Sequence, residues 1–201
     1  MSFMIHLQSG DGLNRLAMLA GLAGKSRPIL EAAARSVRLL LQSHFQARDQ
    51  TPNQLGGERT HFWLDVLKST QIGPTDEGQS SVIVGDARLP QRVYGGTIRP
   101  KNCKMLAIPV DAAAYGRRPA TFEMVTGLKL FCISAGGTVG LVTKGQHGYF
   151  GFGVWRYVLA YKVDQKADPQ ALPDREKIEQ AAVDGAEKQL KIMIQRDQPM
   201  K

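Results

Sequence analysis

Apolar residues recur at steps of three and four over 28–47, at Leu30, Ala34, Val37, Leu41 and His44 or Phe45, so this segment predicts a helix with one apolar face. Arg35, Arg38, Gln42 and Arg48 fall on its other sides, and Pro28 suits a first helical turn. Such a stripe needs a sheet or a partner to cover it. The segment ahead of it, 11–23, is also helix-compatible, although Gly10, Gly12, Gly21 and Gly24 weaken it. The proline, asparagine and paired glycines of 51–57 read as a loop, and Thr60 is placed to cap a short helix carrying His61, Phe62, Trp63, Val66 and Leu67. Its aromatic pair is expected to pack beneath a sheet.

From Ser80 onward the period changes to two, which predicts strands over 81–85, 88–94, 104–109, 128–133 and 138–143. Ser134-Ala135-Gly136-Gly137 between the last two predicts a hairpin turn. Alternation is clearest over 154–163, where Trp155, Tyr157, Leu159, Tyr161 and Val163 share one face that should belong to a core. Two prolines in Ala167-Asp168-Pro169-Gln170-Ala171-Leu172-Pro173 then make a linker, after which Asp174 is placed to cap a final helix. Its stripe of Ile178, Ala182, Ala186, Leu190 and Ile194 is narrow and small, suited to near contact with a sheet or a neighbouring subunit. The order is helix, short helix, several mostly antiparallel strands, helix. This predicts an α+β fold, a mostly antiparallel sheet packed with a long helix from the N-terminal half and a C-terminal helix, with a protruding hairpin or loop. The expected organisation is an N-terminal segment over 1–27 that orders on assembly, a core domain over 28–166, and a linker with closing helix over 167–201.

Composition adds a compartment and a charge. With 201 residues, 43% of them hydrophobic, the chain is long enough to bury a proper core. Cys103 and Cys132 form no disulfide framework or metal-like spacing, which points to reduced thiols in a cytoplasmic product. No segment has the apolar length of a signal core or a membrane span. The net charge of +8 is uneven: over 90–120, Arg92, Arg99, Lys101, Lys104, Arg117 and Arg118 stand against Asp111 alone. A localised excess of this kind raises the local concentration of phosphate or of an acidic protein surface, or simply keeps a loop solvated.

Signals of chemistry are sparse. His6, His44, His61 and His147 fall in no zinc-binding spacing, and His44 beside Phe45 reads as a packed imidazole. There is no nucleophile elbow. The spaced glycines of 145–153 lead into a strand and not into a helix N-terminus, so they are no nucleotide loop, and the interleaved His147, Tyr149, Phe150 and Phe152 read as packing before base stacking. Asp65, Asp76, Glu77, Asp86, Asp111 and Glu123 sit singly in turns and on helix surfaces. The expectation is a protein without catalytic residues, cofactor or metal.

The run Tyr94-Gly95-Gly96-Thr97-Ile98-Arg99-Pro100-Lys101-Asn102-Cys103-Lys104-Met105-Leu106-Ala107-Ile108-Pro109 fuses turn chemistry, basic charge and a short apolar strand, and reads as a loop or hairpin that leaves a sheet and returns. With the flanking Pro52-Asn53-Gln54-Leu55-Gly56-Gly57, His61-Phe62-Trp63 and Ala112-Ala113-Ala114-Tyr115-Gly116-Arg117, it resembles the virion-morphogenesis proteins of tailed phages and prophages. The resemblance implies a structural, non-enzymatic virion protein, made in the host cytoplasm. Such a protein acts in tail completion at the head–tail junction, as a homo-oligomeric ring contacting other neck or tail proteins. Arg92, Arg99, Lys101, Lys104, Arg117 and Arg118 then face either an acidic surface of a neighbour or, non-specifically, DNA in the channel. The alternative is a basic nucleic-acid-binding domain without enzymatic activity.

Overall fold

The computed structural model describes residues 3–6, 26–53, 55–144 and 153–196; the helix-compatible stretch over 11–23 and residues 145–152 of the glycine-aromatic loop lie outside them. The chain divides into two compact units, Met1–Gln50 with Phe62–Tyr94 and Asp168–Lys201, and Thr51–His61 with Gly95–Ala167. The expected core over 28–166 with a separate closing helix is therefore not how the chain divides. The closing helix completes the core begun by residues 26–49, because the two stripes cover each other.

In the first unit, helix α1 (Ser26–Asp49) buries Ile29, Ala32, Ala33, Ala34, Val37, Leu41 and Phe45, the face expected from the spacing with Ile29 in place of Leu30. Helix α2 (Phe62–Lys68) adds Val66, and its Trp63 stacks on Phe45 with ring centroids 5.9 Å apart. The aromatic pair thus packs on α1. Strands β1 (Phe3–His6), β2 (Thr70–Thr75) and β3 (Ser80–Val84) form an antiparallel sheet in the order β1-β3-β2, with Val82 and Val84 buried. Neither β1 nor β2 follows from periodicity: β2 contains Gly73 and Pro74, and its register shifts between Ile72 and Thr75.

Residues 88–94, expected as a strand, form helix α3 (Leu89–Tyr94). The reason is local: the Asp86 carboxylate accepts the Arg88 N–H at 2.8 Å and the Asp86 carbonyl that of Leu89 at 3.2 Å, a turn that leads into a helix with Pro90 in its first turn. Leu89 and Val93 are four apart, so a helix brings both to the core as readily as alternation would. The Arg88 guanidinium reaches Asp86 at 2.6 Å and Asp65 of α2 at 2.8 Å, tying α2 to the start of α3. The side-chain hydrogen bond from Arg88 holds the Asp86 carboxyl below its usual range.

Helix α5 (Arg175–Arg196) buries Ala182, Gly185 and Ala186 against α1. A Cβ at Gly185 would lie 2.3 Å from Ser36 Oγ and 2.7 Å from the Ala32 carbonyl oxygen, so the two backbones meet where α5 has no side chain. Arg48, near the end of α1, lies 4.9 Å over the Trp63 ring, pairs with Asp168 and donates to Gln170 Oε1 at 3.1 Å, fastening the linker ahead of α5. His44 joins it, with Nε2 3.0 Å from the Gln170 carbonyl oxygen.

The second unit holds two further antiparallel sheets. Strands β4 (Gly96–Ile98) and β9 (Val163–Gln165) make a ribbon; β5 (Leu106–Pro109), β6 (Leu130–Ala135), β7 (Thr138–Thr143) and β8 (Val154–Ala160) form a sheet ordered β5-β8-β7-β6. The turn between β6 and β7 is the one expected: Ala135 pairs with Thr138, and Gly136 and Gly137 take positive φ of 56° and 77°, which the glycines accommodate without strain. Helix α4 (Pro119–Thr126) lays Phe122 against Tyr157 and Ala114, forming a small core. The single face expected for Trp155, Tyr157, Leu159, Tyr161 and Val163 is broken. Leu141 pairs with Tyr157 and its neighbour Val142 with Trp155, so Arg156 forms a bulge that sends Trp155 and Tyr157 to opposite faces. Tyr161 is 71% exposed in the bend before β9.

Two outcomes follow from these contacts. Gly185→Ala lowers stability by about 1–2 kcal/mol, because the Ala32 carbonyl cannot rotate away and its displacement outweighs the roughly 1 kcal/mol of gained helix propensity; denaturant unfolding measures it, and Gly185→Leu costs more. Asp86→Asn removes a contribution that is complete above about pH 4 and is lost as pH falls through the depressed carboxyl value, so thermal unfolding of the variant is weaker at neutral pH and less steep in acid.

Candidate interaction surface on the basic loop

Six basic residues were singled out by charge, and the structure treats them differently. Arg92 lies in the first unit, on α3, with its guanidinium 5.5 Å over the Phe62 ring, and its carbonyl accepts the Asp168 N–H at 2.9 Å. The other five belong to the second unit. Gly95 begins that unit at φ 69°, packed so closely on the strand opposite that a Cβ would lie 2.6 Å from both the Gln165 carbonyl oxygen and the Ala167 nitrogen. Gly96 to Ile98 then pair with Gln165 to Val163, and the Thr97 hydroxyl donates to the Asp164 carboxylate.

Of the two forms expected for the following residues, hairpin or loop, the chain adopts the loop: it leaves the β4–β9 ribbon at Ile98 and joins the four-stranded sheet at Leu106. Arg99, Lys101, Asn102, Cys103 and Lys104 are all exposed on it. Pro100 lacks an N–H, so the loop does not continue the ribbon's ladder. Asp164 feels part of this charge: the Thr97 hydroxyl bond holds its carboxyl below the usual range, aided by Lys162 and, more weakly, by Arg99. Lys101 and Lys104 make no ion pair among the described residues. Cys103 donates through Sγ to the Met105 carbonyl at 3.1 Å, and both cysteines are free and exposed.

Arg117 has a different task. It donates to the Ala113 carbonyl at 2.7 Å and to Glu58 at 2.9 Å, holding the turn over 111–117 to the loop over 51–61. That turn is braced from below by the buried Tyr157, whose hydroxyl donates to the carbonyls of Arg117 at 3.0 Å and Ala114 at 3.4 Å. Burial pushes the Tyr157 phenol up, against the opposing charge of Arg117. Beside it Asp111 accepts from Arg156 at 2.6 Å and from the Ala113 N–H at 3.0 Å, and Arg156 reaches Thr143 at 3.2 Å. Both members of the Asp111–Arg156 pair are mostly covered, at 27% and 16% exposure. Tyr157 and Arg156 stand at least 39 residues from the turn they hold, and no local pattern announces the contact. Arg118 is exposed, and its carbonyl accepts the first turn of α4 from Phe122 at 2.8 Å.

The acids considered one by one in the sequence are each engaged by a donor, some near in sequence and some remote. Ser26 donates to Glu77 at 2.7 Å, Asp76 accepts the N–H groups of Gly78 and Gln79, and Glu123 accepts the Leu130 N–H at 2.8 Å. Among the described residues no group of three or more His, Cys, Asp or Glu converges as a metal site, and no helix is long and apolar enough to cross a membrane. The exposed positive charge of the predicted set is therefore concentrated on the Arg99–Lys101–Lys104 loop, which attracts anionic groups in general. No protein-family model, curated protein or solved structure matches this chain.

The brace gives a measurable consequence. Tyr157→Phe leaves the Arg117 carbonyl without its hydroxyl donor, while the Ala114 carbonyl keeps the Arg117 N–H at 3.1 Å, and destabilises the second unit by about 1 kcal/mol, whereas Asp111→Ala strands the Arg156 guanidinium and costs about 3 kcal/mol; denaturant unfolding ranks the two.

Proposed function

We propose that this chain is a structural virion protein of a tailed phage, a tail-completion or neck component that works at the head–tail junction as a homo-oligomeric ring, without catalysis. The observation that supports this reading is the exposed basic loop: the segment carrying the family resemblance presents Arg99, Lys101 and Lys104 to solvent, while its neighbour Arg117 is consumed in bracing the fold. A ring subunit needs fixed scaffolding around a contact element that is free to meet another surface. The Tyr157–Asp111–Arg156 brace supplies the first and the 99–105 loop the second.

A second reading, a basic nucleic-acid-binding domain, is favoured by the same unpaired lysines, since such a loop attracts phosphate without reading bases. The two part company in one experiment. Under the virion reading, purified full-length protein forms rings in negative-stain micrographs and joins tails or heads, and Arg99→Ala/Lys101→Ala/Lys104→Ala abolishes joining while unfolding shifts by no more than about 0.5 kcal/mol. Under the nucleic-acid reading, the isolated protein binds duplex or single strands. The same triple substitution then lowers the slope of log affinity against log salt by about 3. Failure to form rings or to join particles, with or without DNA binding, overturns the first reading.

A further inference from the structure

We infer that strand β6 is a docking edge for a second copy of this chain, pairing antiparallel with the same strand of its partner about a two-fold axis centred on Ile133. This inference does not rest on the virion reading. It begins with the parity of the β6–β7 ladder. Ala135 and Thr138 flank a two-glycine turn and so form a hydrogen-bonded pair, which directs the N–H and C=O groups of Phe131, Ile133 and Ala135 toward β7. Those of Leu130, Cys132 and Ser134 point the other way, off the edge of the sheet. The Leu130 N–H confirms the parity, because it donates to the Glu123 carboxylate, away from β7.

Glu123 thereby closes one end of the edge and leaves two complete donor–acceptor sets, at Cys132 and Ser134. Two residues of one parity, separated by one, match themselves under a two-fold axis through the residue between them. Cys132 meets Ser134 of the other copy, Ser134 meets Cys132, and Ile133 meets Ile133, giving four backbone hydrogen bonds that use every outward group of Cys132 and Ser134.

Side chains agree with the backbone. Residues 130–135 carry no charge and no proline, the devices that ordinarily protect an edge strand. The opposite edge of the same sheet is protected: the Val110 N–H bonds the Arg156 carbonyl on β8, so Pro109 faces outward, where it offers no donor. Head-to-tail extension from β6 to β5 is therefore disfavoured and self-pairing is left. Phe131 on the strand is 49% exposed, and Leu128, Val125 and Met124 leading to it are 42%, 58% and 78% exposed. These side chains present roughly 400 Å² of apolar surface per copy, the size of a functional patch. With the strand backbones, two copies bury on the order of 1,000 Å², the lower end for a specific interface and the area of a reversible dimer. An isologous contact joins copies in pairs, so it is separate from any heterologous contact that closes a ring.

The test is sedimentation of the full chain over a concentration series, beside Ser134→Pro. That substitution deletes an outward N–H, and so two of the four bonds in the symmetric pair, without touching the ladder to β7. The wild-type chain should show a reversible, concentration-dependent doubling of mass, from monomer to dimer or from one ring to a pair of rings, and Ser134→Pro a dissociation constant for that step at least tenfold higher, with the same thermal unfolding. A second arm reads the register directly: in Cys103→Ser/Ser134→Cys the introduced thiol lies opposite Cys132 of the partner, and mild oxidation gives a covalent dimer, whereas Cys103→Ser alone gives little. A chain monomeric throughout the series, an oligomer indifferent to Ser134→Pro, or equal cross-linking of the two cysteine variants overturns the proposal.

Discussion

The approach of α5 to α1 at Gly185 is the constraint on which the first unit depends. Where the two helices meet, Ala32 and Ser36 of α1 and Ala182, Gly185 and Ala186 of α5 carry little side-chain volume between them, and they bury apolar surface there only by bringing their backbones together. The missing Cβ at Gly185 allows that distance, at a conformational cost that packing recovers. Once the pair is closed, the larger side chains of α1, Val37, Leu41 and Phe45, are free to meet Val66, Val82, Val84 and Leu89 from α2, β3 and the start of α3. The short helices and the three-stranded sheet are thus organised around a helix pair.

The second unit is held by different means. Its buried apolar residues are few, Ala114, Phe122 and Tyr157 with partly buried neighbours, and Val142 on β7, and polar contacts do more of the holding. Tyr157 serves both purposes, its ring edge-on to Phe122 at 6.1 Å and its hydroxyl on the carbonyls of the turn over 111–117. A covered ion pair such as Asp111–Arg156 contributes little net stability over an apolar substitute, yet it fixes one arrangement, because either partner left alone is costly. It sits at the bulge that turns Arg156 out of the strand's alternation, so an irregularity of the ladder is what makes the pair possible.

What was legible in the sequence follows the range of the physics involved. The stripe of α1, the small stripe of α5 as far as Leu190, the β6–β7 hairpin and its two-glycine turn all express interactions between residues a few positions apart, and each was written in the periodicity, whereas Ile194, expected on the same stripe, is 53% exposed where α5 runs past the core. The 88–94 segment was not, because Leu89 and Val93 fit either period and the decision came from the Asp86 turn ahead of it. The alternation after Val154 concealed a bulge at Arg156, whose partner, Asp111, lies 45 positions away. Nor did spacing reveal that the small residues of α5 find α1 of the same chain. For the candidate surface, charge counting located the exposed loop correctly but placed Arg117 in the same class as Lys101, since Glu58 is remote in sequence.

The first unit is assembled from three separated stretches, and the last of them carries α5. On a ribosome, Ala182, Gly185 and Ala186 emerge only after the whole of 95–167, so nascent α1 waits with its apolar stripe uncovered while the sheet of the second unit is already able to close. Maturation is then ordered by vectorial synthesis. A release of the polypeptide before α5 would yield a half-built protein with one finished sheet and one adhesive helix, a natural substrate for chaperones and proteases.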